Sequence, residues 1–174
     1  MDFGTHLLSG IILAYILTDF NSWMWVLIII FALLPDLIGE LFYQIGRITK
    51  GYKIKLIYDQ EITSSSLYLK NSKYMIPYNF LHSLLAIGLL YIFSLPFELI
   101  IAYAIHIVLD LVSHSRDSWG IMIFWPFNKK RFGPKKNWWE WKFLKNTSVF
   151  YFNLITYIIT IIIFLILKFF LNKF

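Results

Sequence analysis

Residues 103–127 read YAIHIVLDLVSHSRDSWGIMIFWPF, and the rest of the chain is organised around them. His106, Asp110 and His114 stand at i, i+4 and i+8 in an apolar segment. At 3.6 residues per turn they follow one helix face, each roughly 40° round from the last. Ile105, Ile107, Val108, Leu109, Leu111 and Val112 surround them, with no other polar residue before Ser113. Ionisable groups in so apolar a setting are costly to keep and mark functional sites. Imidazole with carboxylate is also a ligand set that suits zinc and related metals.

Composition points to a lipid solvent. The chain is 59% hydrophobic and only 15% charged, against about 25% charged in soluble domains. Its apolar runs include WMWVLIIIFALL and most of 156–171. The class these features imply is an all-α integral membrane bundle in one domain, 1–174, with about five transmembrane helices. The absence of cysteine excludes disulfides and thiolate ligands, so a metal must use His, Asp or Glu. The N-terminus lacks a basic n-region and a small-residue cleavage pattern, which reads as a retained helix. The net charge of +6 suits membrane orientation and lipid headgroups as partners, with no nucleic acid expected.

Taken in order, residues 5–18 form a short helix with Thr5 as N-cap, and residues 23–34 a second. Each is thin for a hydrocarbon core of about 30 Å. The second either stops at Pro35-Asp36 or continues kinked through Gly46. Residues 47–76 read as a polar loop containing Ser64-Ser65-Ser66, with a weak strand pair around 52–58 and 66–74. Residues 78–94 read as the third helix and 97–113 as the fourth, with Pro96 at its start. Residues 115–146 form a second basic loop, rich in tryptophan. Residues 148–171 form an additional C-terminal span.

Charge sets the orientation. Loop 47–76 carries six Lys/Arg and two acids, and loop 115–146 carries eight and two. The turns at 18–22 and 94–98 hold Asp19 and Glu98 and no base. Both long loops are therefore expected in the cytoplasm. His6, Asp36, His82, His106, Asp110 and His114 then fall in the cytoplasmic half of four helices, where a bundle brings them to one cavity. Singly, each has a plain reading: His6 an interfacial residue, Asp36 a cap, His82 a buried hydrogen-bonded histidine, His106 and Asp110 a structural pair, His114 a partner of the helix dipole, Glu40 a solvated charge. Their joint placement favours a metal site. No G-x-S-x-G, H-E-x-x-H or phosphate-binding glycine loop occurs.

His6 with Gly10, LLPD at 33–36, HS at 82–83, HIVLDLVSH at 106–114 and FWPF at 124–127 together resemble the membrane-bound metal-dependent hydrolases of the YdjM type, a group held to be distantly similar to zinc-dependent phospholipases C and P1-type nucleases. The resemblance spans residues 4–141 in ordered blocks. It implies metal ligands at His6, Asp36, His82, His106 and Asp110, and His114 fits the H-x-x-x-D-x-x-x-H form. Such families carry a second acid soon after the P-D block; here Glu40 is the residue available. The implied function is hydrolysis of a phosphoester or phospholipid at the cytoplasmic surface of the inner membrane. One or two divalent ions, zinc being the expected one, would activate water, with Asp36, Asp110 or Glu40 as catalytic carboxylates and Lys/Arg of 129–136 near the substrate phosphate. Two alternatives stand beside it: a component of ion or metal transport, and a structural membrane protein stapled by metal.

Overall fold

The computed structural model describes residues 3–18, 22–55 and 60–140, with positions 155, 158, 159, 161, 162 and 166. Among them the protein is helical, with no strand; its one isolated bridge pairs Ile121 with Phe132. The helices are α1 (Phe3–Leu17), α2 (Met24–Thr49), α3 (Gln60–Leu69), α4 (Ile76–Leu81), α5 (Leu84–Ile92) and α6 (Phe97–Ser113). Most of the expected C-terminal span 148–171, with Asn153, Thr156 and Thr160, lies outside the described residues, as do Asp19 and Trp141. Six described isoleucines there, from Ile155 to Ile166, are helical and exposed.

The centrepiece is α2. Its 26 residues give a length of about 39 Å, and it is the one described helix long and apolar enough to cross a membrane by itself. The two outcomes left open at Pro35 are resolved: α2 continues through it, and Asp36 lies inside the helix, not at its end. Ile28, Ala32, Pro35, Gly39, Tyr43 and Gly46 form its buried stripe. Val26, Ile30, Leu37, Leu41, Ile45 and Ile48 form an exposed one. Small residues inside and branched apolar ones outside is the pattern of a helix packed on helices and facing lipid.

Both α1 and α6 pack along α2. On α1, Gly10 and Ala14 are buried one turn apart, which lets the backbones approach. A Cβ on Gly10 would sit 2.9 Å from Ala32 Cβ and 3.2 Å from Ile29 Cα. α1 spans Phe3–Leu17, so Thr5 lies within it and is not its N-cap.

Residues 47–76 depart from the expected loop. Among its described residues there is no strand pair; α3 occupies 60–69, and the serine run is part of that helix, with Ser65 and Ser66 buried. The cause is Arg47, fully buried near the end of α2. Its guanidinium donates to Lys53 O (2.9 Å), to Glu61 Oε1 (2.7 Å) and to Ser65 Oγ. Tyr43 Oη donates to Ile62 O at 3.0 Å. A buried guanidinium must satisfy its donors, and a folded segment with a serine on its inner face does so. Lys55 and Arg47 hold the Glu61 carboxyl below its ordinary range by hydrogen bonding to its charged form. The same end of the bundle gathers both basic segments: Tyr43 packs on Trp119, and Arg131 donates to Gly120 O and Lys70 O.

The expected single helix 78–94 is broken. α4 and α5 meet at His82-Ser83 at 58°. Ser83 Oγ caps α5 through Ala86 N (3.4 Å), and Leu84 N donates to Ile123 O (2.9 Å). Tyr103 Oη on α6 donates to Leu81 O (2.7 Å), pinning the break from the other side.

The tight crossing generates a test. Gly10→Val should displace α1 and destabilise the protein by about 1–3 kcal/mol through overpacking. Gly88→Ala, with open space at its Cβ, should be neutral or slightly stabilising. Melting of the detergent-purified variants compares the two.

Candidate metal centre

Four elements bring donors together. His6 comes from the first turns of α1, Asp36 from mid-α2, His82 from the α4–α5 break, and His106 and Asp110 from the last turns of α6. All but Asp36 have fully buried side chains, and Asp36 is 17% exposed.

Each of three imidazoles has its Nδ1 committed. His106 Nδ1 donates to Ala32 O at 2.7 Å. Ala32 lies on the buried face of α2, one turn before Pro35 and Asp36. His82 Nδ1 donates to Tyr78 O at 2.9 Å. Tyr78 Oη donates to Trp119 O (2.7 Å) and so accepts from His114 Nδ1, 3.2 Å away. Carbonyls only accept, so a neutral ring in each place carries its proton on Nδ1 and turns an Nε2 lone pair inward.

Those lone pairs meet each other and two carboxylates. His82 Nε2 and His106 Nε2 are 3.2 Å apart. Asp110 Oδ2 lies 3.0 Å from the first and 3.2 Å from the second. Asp36 Oδ1 completes the figure at 3.5 and 3.6 Å. Four acceptors at such spacings repel unless a cation sits among them. With bonds of about 2.0–2.2 Å, a tetrahedral metal has donor–donor edges of roughly 3.3–3.6 Å. The observed edges fall at or just below that range, so the residues fit the group the chemistry implies. The other oxygens of the same carboxylates face His6: Nε2 is 3.0 Å from Asp110 Oδ1 and 3.5 Å from Asp36 Oδ2. His114 Nε2 approaches Asp110 Oδ1 at 3.7 Å. His6, Asp36, His106 and Asp110 thus form a possible metal-binding group, with His82 against it and His114 behind Asp110.

Glu40 stands one turn along α2 from Asp36. Its Oε1 accepts from Gln44 Nε2 at 2.5 Å, and it joins Asp36 at the edge of a 510 Å³ cavity walled by Phe3, Leu37, Leu41 and Ile54. The basic stretch 129–136 does not reach this cluster through any described contact: Arg131 serves Gly120 O and Lys70 O, and Lys129 lines a different cavity. Sequence reasoning also missed Tyr78, whose ring stacks on His82 at 4.1 Å and whose carbonyl and hydroxyl set two imidazoles. Its place four residues before His82 was the available clue.

Fold and site together define an all-helical protein with a buried His/Asp donor cluster between four elements. The profile of the YdjM inner membrane protein family matches residues 1–172, and the chain belongs to that family. Comparison with curated proteins and with solved structures gives no match.

Asp110 is the residue every imidazole of the cluster touches. Asp110→Asn keeps the shape and removes the charge. A chelator should lower the melting temperature of the wild type and leave that of Asp110→Asn unmoved, as calorimetry or a thermal-shift assay can record.

Proposed function

We propose that the protein is a multi-pass, metal-dependent hydrolase of the inner membrane, acting on phosphoester groups of lipid-type substrates from the cytoplasmic side. The observation that carries this reading is the adjacency of the donor cluster to an apolar cavity through Asp36, the one partly exposed member. A staple needs only a closed cage; a catalytic centre keeps an open side. Here the open side leads to walls that suit an acyl chain.

A divalent metal held by His82, His106, Asp36 and Asp110, with a second beside His6, would supply activated water and polarise a phosphoryl oxygen; zinc suits the all-N/O set. The carboxylates of Asp36 and Asp110 each offer one oxygen to either position. Under this proposal Glu40, which is hydrogen-bonded to Gln44 and lines the cavity, takes a proton from water. In this reading α1, α2, the bent α4–α5 pair, α6 and the 148–171 segment make about five passes, with both basic loops cytoplasmic by the positive-inside rule. The full burial of four donors favours one second reading, a metal that only staples the helices.

The test is turnover of a phosphodiester or phospholipid by the metal-loaded protein. Wild type should hydrolyse it, His106→Ala should lose both metal and activity, and Glu40→Gln should keep metal while losing about 10²–10⁴-fold in rate. Metal in the wild type without turnover of any such substrate leaves the staple.

A further inference from the structure

A second cavity, of 670 Å³, lies where the turn after α3 meets the 122–129 loop. It shares no lining residue with the donor cluster or its apolar cavity. Lys70, Lys73 and Lys129 border it, and no acid does. Among the described residues none of the three makes an ion pair: Lys70 Nζ donates to Asp117 O (3.2 Å), and Lys73 Nζ lies 5.4 Å from the Tyr74 ring centre. Asn79, only 6% exposed, lines the cavity with its Oδ1 buried and meeting no donor among the described residues. Ser72 Oγ, also at the lining, is buried and likewise unmet. An unsatisfied buried polar group costs about 1–3 kcal/mol and calls for an explanation. Two of them beside three lysines that have no acidic partner among the described residues call for a ligand.

We propose that this cavity binds a polyol phosphate, the chemistry of a phosphoglycerol headgroup. Three ammonium groups and the Ser72 hydroxyl donate to phosphate oxygens. Asn79 Oδ1 accepts from a ligand hydroxyl. Met122, Trp125 and Pro126 give the carbon skeleton an apolar wall. A quaternary ammonium would meet like charge, so phosphocholine is disfavoured. Phe127 at 89% exposure and Phe124 at 47% flank the loop; exposed aromatics beside lysine suit headgroup depth. The site stands apart from the proposed hydrolysis and does not depend on it.

The experiment titrates full-length protein in neutral detergent, by calorimetry, with dihexanoyl phosphatidylglycerol, dihexanoyl phosphatidylcholine and glycerol 3-phosphate. Wild type should bind the phosphatidylglycerol at least tenfold tighter than the phosphatidylcholine. Lys73→Gln/Lys129→Gln, both at exposed positions, should fold normally and lose at least tenfold. Dihexanoyl phosphatidic acid, which lacks the headgroup hydroxyls, is titrated as well: wild type should prefer phosphatidylglycerol to it, and Asn79→Leu should erase that preference. Comparable binding of glycerol 3-phosphate assigns the site to a soluble polyol phosphate; binding of the lipid alone assigns it to a headgroup. Equal affinity for the two lipids, or no loss in the lysine variant, overturns the proposal. So does phosphatidylglycerol binding that vanishes in His106→Ala and survives the lysine changes.

Discussion

Nitrogen lone pairs of His82 and His106, 3.2 Å apart and both facing the Asp110 carboxylate, are the constraint on which the rest of the structure depends. Their Nδ1 protons are spoken for by Tyr78 O and Ala32 O, so neither neutral ring has a proton to share at the centre. A cation resolves the arrangement. The outer hydrogen bonds fix ring orientation before any ligand arrives, which is how metal-binding histidines are ordinarily held.

The fold reads as a frame for that centre. The carbonyl of Ala32 on α2 accepts from His106 Nδ1 at 2.7 Å and so fixes that ring against the helix. The break after α4 turns His82 inward and is held by Tyr103 from α6 and by Ile123 from the long loop. Gly10 lets α1 lie close enough for His6 to meet Asp110 at 3.0 Å. Small residues are used where backbones must approach, and bulk is turned outward, as expected where lipid and not water is the solvent.

Much of this was legible in the chain. The i, i+4 spacing of His106 and Asp110 needs only helical geometry, and α6 runs over the expected 97–113. That His6, Asp36 and His82 would join them was expected from the charge asymmetry of the loops with Asp36 at a helix end; the structure brings them together with Asp36 in the middle of α2. Less legible were the features set by tertiary partners. Nothing local reports that Arg47 is buried and needs acceptors, so α3 and its serines looked like loop. Nothing local decides that Pro35 leaves α2 intact, because neighbouring groups can use the carbonyls it frees. The kink at His82-Ser83 depends on Ile123 and Tyr103, distant in sequence. The lysine-rimmed cavity is likewise assembled from segments some fifty residues apart, between Lys73 and Met122.

The central claim is that the cluster exists to hold a metal. X-ray absorption on protein purified without chelator, with elemental analysis of the same sample, tests it most directly. The account predicts at least one divalent metal per chain, with nitrogen and oxygen ligands at about 2.0–2.2 Å and no sulfur. Protein that is free of metal, folds fully and takes up none when zinc, manganese or magnesium is offered would contradict it.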